Sequence, residues 1–315
     1  PYTTLFRSLV AKAGSDRRPH ILVMTATPIP RTVAMTAFGA LDISTLSELP
    51  HGRSPITTHV VLSKEQPAHL TRAWQRIVEE VEAGHQAYVV VPRIASQESA
   101  PTEDSARQAI ALEDLAPQLI DGPLAGVRVG ILHGQMSAVD KDDVMRRFAN
   151  AAVLEDGIDV LIATTVIEVG VDVPNATMMV IMDAERFGIS QLHQLRGRVG
   201  RGTAPGLCLL VTEAPPFTRA RERLAAVALT TDGFELAALD LEQRHEGDVL
   251  GKEQSGIRSS FKLVSIRDDE AILGLAQQAA SLIVSSDPDL TLHVSLKTAI
   301  DAQFSQSHTE FVKKS

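Results

Sequence analysis

Short apolar runs alternate with amphipathic stretches along most of the chain. Ile21 to Thr25, Ile56 to Leu62, Ala87 to Pro92, Val127 to Leu132, Val160 to Thr164, Met178 to Met182 and Leu207 to Val211 have the length and content of strands. Between them, Ala73, Trp74, Ile77, Val78 and Val81 fall on one helical face, and Val139, Val144, Met145 and Phe148 mark another helix. Strands separated by helices predict βαβ units, hence an α/β fold with a parallel sheet and helices on both faces. The turn formers from Leu49 to Pro55 read as a linker between two lobes. After Pro215-Pro216 the strands stop, and helices are predicted over 219–229 and 235–242, followed by a glycine-rich loop from Gly247 to Gly256. The expected organisation is the end of one α/β domain with its linker over 9–54, a complete α/β domain over 55–215, a helical appendage over 216–285 and a tail over 286–315.

Composition narrows the function classes. At about 150 residues per domain, 315 residues predict two domains with a sizeable core. Cys208 is the only cysteine, which excludes an internal disulfide and a cysteine-based zinc site and points to a reducing, cytoplasmic setting. The net charge of −9 counts against a passive nucleic-acid coat held by bulk positive charge, while leaving room for a local basic groove. No apolar run reaches the roughly 18 residues of a membrane span, so no membrane partner is expected. Pro1 to Ser8 is similar to the translated end of a widely used sequencing adapter. With no initiator Met, the chain is expected to be truncated, with its natural sequence starting at Leu9.

The segment Gln194-Leu-Arg-Gly-Arg-Val-Gly-Arg-Gly202 carries the most chemistry. On a helix, Gln194, Arg198 and Arg201 would share one face and project two guanidinium groups and an amide. Three glycines weaken such a helix, and like charges on a bare surface repel, so an anion is the expected compensation. Guanidinium forks match phosphate oxygens. A solvated basic helix or a loose phosphate-backbone binder is the bland alternative.

Q-x-x-G-R-x-G-R resembles motif VI of superfamily 2 helicases, and its neighbours stand in the matching order. Thr25-Ala-Thr-Pro28 is similar to motif III, and Ile162 to Thr165 through Glu168 to Pro174 to motif V. The longer strings Thr25 to Thr32, Leu46 to Ile56 and Met182 to Gly202 resemble the RecG family, ATP-dependent helicases acting on stalled replication forks. The resemblance implies two RecA-like domains with ATP between them, of which 9–54 is the end of the first and 55–215 the second. It implies that Arg198 and Arg201, with Gln194 nearby, reach the γ-phosphate, and that Asp172 holds the ribose. Thr164 and Thr165 are implied to touch or couple to the DNA backbone, and Thr25 and Thr27 to link nucleotide and DNA. His133-Gly134 resembles a family turn near DNA phosphates; a histidine capping a strand end is the plain alternative. Branched double-stranded DNA is the implied partner, with repair and recombination as the setting, and a monomer is expected.

Arg244 to Gly256 resembles the translocation loop that RecG shares with transcription-repair coupling factors, which implies DNA or coupling roles for Arg244 and Gln254 and a lever role for the helical hairpin before it. It departs from the family at Glu253, commonly Arg, and at His245-Glu246, commonly Gly-Pro, which puts a direct DNA contact at Glu253 in doubt. No G-x-x-x-x-G-K-[ST] loop and no Asp-Glu-x-His occur, so most ligands of ATP and Mg²⁺ are expected upstream of this chain, and the chain alone is expected not to hydrolyse ATP. A coupling-factor translocase and a non-catalytic nucleic-acid or protein-binding module remain the alternatives. A small-molecule α/β enzyme lacks a nucleophile elbow, a metal spacing or a G-x-G-x-x-G to support it.

Overall fold

The computed structural model describes residues 54–92, 111–168, 172–240 and 270–302. These fall into two compact units, one holding the described residues from 54 to 240 and the other 270–302. The first runs β1 (Ile56–Leu62), α1 (Pro67–Glu82), β2 (Gln86–Val90), α2 (Leu112–Ile120), β3 (Val129–Leu132), α3 (Ala138–Ala149), β4 (Val160–Ala163), β5 (Ala176–Ile181), α4 (Ile189–Arg196), β6 (Gly206–Thr212) and α5 (Arg219–Leu229). A helix α6 follows over 233–240. The six strands form one sheet in the order β1-β6-β5-β2-β4-β3, every pair parallel.

Local sequence explains the helix ends. Pro67 opens α1, where its missing N–H costs nothing, and Gly84 at φ 85° lets the chain turn away from its end. Ser137 caps α3 by accepting a hydrogen bond from the Asp140 amide at 3.2 Å, while Arg146 and Arg147 sit in the last turn beside its free carbonyls. Thr218 caps α5 in the same way, accepting from the Arg221 amide at 3.4 Å.

Both faces of the sheet are dry, as a parallel sheet requires. On one face, Tyr88, Val90, Leu161, Ala163, Met179, Ile181, Cys208 and Leu210 pack with Phe148 of α3, Leu192 and Leu195 of α4, Leu224 and Val227 of α5, and Leu236. The alternate residues Ala87, Val89, Val160, Ile162, Met178, Val180, Leu209 and Val211 pack with Trp74 and Ile77 of α1 and Leu112, Ala116 and Leu119 of α2. The chain therefore stays within this core past Pro215-Pro216, through α5 and into α6. Buried Gln86 ties the first face together, its amide donating to the Phe148 carbonyl and, at 3.1 Å, to that of Ile158.

The second unit contains α7 (Glu270–Ser286) and a helix over 294–302. Asp287 closes the turn between them. Its carboxylate accepts from the Thr291 and Leu292 amides, each at 2.8 Å, and lies 3.0 Å from His293 Nδ1. Burial opposes ionisation of Asp287, but these donors outweigh it and hold its carboxyl below the usual carboxylate range.

Phe148 is fully buried, and its ring stacks obliquely on Tyr88 with centroids 4.9 Å apart. Phe148→Ala is expected to cost about 3–5 kcal/mol, read as a lower midpoint in urea denaturation with the slope unchanged.

Candidate nucleotide and nucleic-acid site

The segment from Gln194 to Gly202 folds differently from the single helix its spacing predicts. α4 stops at Arg196, Gly197 caps it, and Gly200 takes φ 66°. Arg198 and Arg201 therefore lie in the turn beyond the helix, while Gln194 lies in its last turn. The glycines permit a tight turn laid against the sheet. The Gly200 amide donates to the Ala176 carbonyl at 3.3 Å, and a Cβ there would stand 2.9 Å from Ile56 Cγ1. A Cβ at Gly202 would stand 2.5 Å from the Pro174 carbonyl oxygen. The arginine turn thus sits on the starting ends of β1, β5 and β6.

This turn brings two predicted site residues together. Arg201 Nη1 donates to Asp172 Oδ1 at 3.1 Å, and its Nε donates to the Gly197 carbonyl at 2.9 Å. Asp172 is 60% and Arg201 25% exposed at the side chain, so the pair is open to solvent. Buried Tyr88 feels the same charges: burial pushes its phenol up to about 12, Arg198 and Arg201 pull it down, and Asp172 raises it.

Arg196 was not singled out by sequence, although it stands within the same motif. It is 2% exposed, and its Nη1 donates to the carbonyls of Val227 at 2.7 Å and Thr230 at 2.8 Å. Val227 lies in the last turn of α5 and Thr230 just beyond it, where the helix leaves carbonyls without internal partners. Burial lowers the Arg196 pKa, yet an arginine stays charged in proteins, so a cation lies inside the unit and answers those carbonyls. Its adjacency to Gly197 marks a helix end in the sequence, but its carbonyl partners lie 31 and 34 residues away and are not legible there.

The remaining predicted residues occupy the opposite edge of the sheet. Leu132, Ala163, Val90, Ile181 and Leu210 align in register across β3, β4, β2, β5 and β6. His133 and Thr164 directly follow the first two of these. Thr164 is buried, its amide donating to the Leu132 carbonyl at 3.1 Å, and Thr165 opens a short 3₁₀ helix. His133 donates its backbone N–H to Met136 Sδ at 3.4 Å, and its buried Nδ1 meets no partner among the described residues. Lys141 reaches back to the Gly134 carbonyl at 2.8 Å.

From Thr164 to Asp172 the chain passes from one sheet edge to the other. Ala163 aligns with Val90 and Ala176 with Gln86, four residues apart on β2, which is about 13 Å. Thr25, Thr27, Arg244, Glu253 and Gln254 lie outside the described residues. Among the described residues no cluster of three His, Cys, Asp or Glu side chains could hold a metal ion, and no helix is long and apolar enough to cross a membrane.

The all-parallel sheet thus carries a glycine-held arginine turn at one end of its strands and a histidine and a threonine at the other. Residues 70–203 match the helicase conserved C-terminal domain, and residues 230–296 match domain 3, C-terminal, of the ATP-dependent DNA helicase RecG. The chain is homologous to the C-terminal part of the RecG helicases. It is 51% identical to RecG of Mycobacterium tuberculosis over 295 residues, covering 93% of this chain and 39% of that protein. It is 42% identical to RecG of a Synechocystis strain over 289 residues, 92% of this chain and 32% of that one. A solved structure of RecG bound to a three-way DNA junction is similar at 36% identity with a TM-score of 0.54, over 79% of this chain and 30% of that chain. The chain thus spans well under half the length of these relatives.

Arg196→Ala is expected to cost about 2–4 kcal/mol, because it removes the cation and strands the buried Val227 carbonyl and the half-buried Thr230 carbonyl. Hydrogen exchange should quicken first at the α5–α6 turn. Tyr88 has a raised folded pKa, so its contribution to stability is complete below pH 10 and is lost as pH rises towards about 12. Tyr88→Phe should therefore flatten the fall in urea midpoint across that alkaline window.

Proposed function

We propose that this chain is the second motor half of an ATP-dependent double-strand DNA translocase that remodels branched DNA in repair and recombination, working as a monomer in the cytoplasm. The observation that carries this is the Arg201–Asp172 pair in the glycine-held turn, joined by the single crossing segment 164–172 to Thr164 at the opposite edge. The RecG structure bound to a three-way junction supports branched DNA as the partner.

The donor set fits the phosphate end of a nucleotide. Two guanidinium groups sit in one short turn, and the pair formed by one of them is open to solvent. When bound, ATP would supply the cleavable γ-phosphate, with Mg²⁺ held mostly by residues upstream of this chain. Arg198 and Arg201 would face that phosphate, with Gln194 beside them, and Asp172 would bind the ribose. Thr164 and Thr165 would pass the change of state to the DNA side, where His133 would lie near the backbone. Arg244 and Gln254 would serve the translocation loop. A second reading, a non-catalytic nucleic-acid module, draws on the lack of a phosphate-binding loop in this sequence.

The test joins residues 9–315 to the N-terminal part of the Mycobacterium tuberculosis relative. The chain alone should release no phosphate from ATP, whereas the joined protein should do so when DNA is added. In the joined protein, Arg198→Ala or Arg201→Ala should lower hydrolysis about 10³-fold or more and leave fork binding almost unchanged. If DNA affinity and its salt dependence collapsed while turnover survived, the turn would be a backbone clamp.

A further inference from the structure

The first described residues of the domain lie against its arginine turn. The Ser54 hydroxyl donates to the Thr203 carbonyl at 2.7 Å, with the Gly202 carbonyl at 3.2 Å as its second acceptor, partners 149 and 148 residues along the chain. The Gly206 amide donates to the Pro55 carbonyl at 3.0 Å, and Ile56 Cγ1 stands 2.9 Å from where a Cβ on Gly200 would be. Three consecutive residues thus hold the segment 200–206, in which Arg201 lies. A residue before proline is confined to extended backbone, so Pro55 limits the directions from which the hydroxyl can approach.

We infer that Ser54 is a positioning residue for Arg201, through which the linker entering this domain sets the place of the arginine turn; the inference rests on the translocase reading above. Gly202 is touched from both sides. Its carbonyl accepts from Ser54, and a Cβ on it would stand 2.5 Å from the carbonyl oxygen of Pro174, two residues after Asp172. Ser54, Gly202 and Pro174 therefore bear directly on the spacing between Arg201 and Asp172.

Charge does little to fix that spacing, because the Arg201–Asp172 pair is open to solvent and exposed pairs hold weakly. Strand pairing does not require the hydroxyl either. The β1–β6 register starts at Ile56 with Gly206, and the Pro55 carbonyl already answers the Gly206 amide. What the hydroxyl adds is a tie to the two residues that follow Arg201. The predicted linker over 49–55 ends here, so a displacement passed along the chain from a preceding lobe would meet this domain first at Ser54 and, one hydrogen bond later, at the turn.

The test has two arms. In the 315-residue chain, Ser54→Ala should quicken hydrogen exchange at the Gly200 and Gly206 amides about three- to tenfold, with Tm within about 2 °C of wild type. In the joined protein with DNA added, Ser54→Ala should lower kcat about three- to tenfold and leave KM for ATP within about twofold, as expected when a group that acts in the transition state is less well held. Ser54→Thr keeps a hydroxyl and should restore both signals. If Ser54→Ala leaves kcat at the wild-type value, whether or not exchange quickens, Ser54 does not position Arg201 and the translocase reading stands. If kcat falls only together with Tm and Ser54→Thr fails to restore it, the residue serves folding and the inference is wrong. If the wild-type joined protein releases no phosphate, the translocase reading falls and takes the positioning role with it.

Discussion

A sheet in which every strand is parallel forces each connection to travel back along the full strand length before the next strand can begin. Loops at the two edges are consequently different in kind. Here the segments that follow β3, β4 and β6 share one edge, and those that precede β1, β5 and β6 share the other. The candidate site residues divide along this line: His133 and Thr164 at one edge, and Asp172 with the arginine turn at the other. No side chain spans the distance, so coupling between the edges must pass through the backbone connections. Five connections make that journey, and two of them, the 164–172 crossing and α4, adjoin the candidate residues. Ile167 and Val173 anchor the crossing in the core, and Leu192 and Leu195 do the same for α4. These four residues belong to one core cluster, where displacement of one side chain is felt by its neighbours.

Arg196 ties a third element, α5, to α4. A guanidinium at 2% exposure is costly to desolvate unless its donors are answered, and its acceptors are the carbonyls that α5 cannot satisfy within itself. The end of α4 thus answers the end of α5 through Nη1, while Nη2 is buried with no hydrogen-bond partner among the described residues. Gly197 follows Arg196 directly, and its carbonyl holds Arg201. One short stretch therefore fixes the arginine turn on one side and the start of the 230–296 RecG domain on the other.

Much of this frame was legible in the pattern of the chain. β1 and α5 have the bounds that alternation and composition predict, and the apolar runs from Ala87, Val160, Met178 and Leu207 each became a strand of the central sheet. α2 was not predicted, because Pro117 stands inside it and reads as a breaker; the helix tolerates it while Leu112, Ala116 and Leu119 are buried. The arginine motif was read with the right residues in the wrong conformation. Spacing alone places Gln194, Arg198 and Arg201 on one helical face, but glycine is a poor helix former, and the backbone contact with Ala176 favours the turn. Arg196 escaped because burial of a charge is a tertiary fact: nothing local announces that two carbonyls thirty-odd residues away will be its partners. The Asp172–Arg201 contact is of the same kind, since its members meet only after β5 and α4 are laid between them.

The strength of that contact matters as much as its geometry. An ion pair this open to water is worth about 1 kcal/mol or less, and the Gly197 carbonyl adds a hydrogen bond of about 1 kcal/mol. A sealed pair in the core would resist separation by several times that amount. Arg201 is therefore oriented without being trapped: Gly197 and Asp172 limit its rotamers, yet phosphate oxygens, whose charge-assisted bonds to guanidinium are roughly twice as strong as neutral ones, can displace the carboxylate. With a nucleotide bound as proposed, release of Asp172 would free an acceptor for a second polar group of that ligand. The exposure of the pair is what would allow such an exchange, and the buried cation at Arg196 would keep the turn in place.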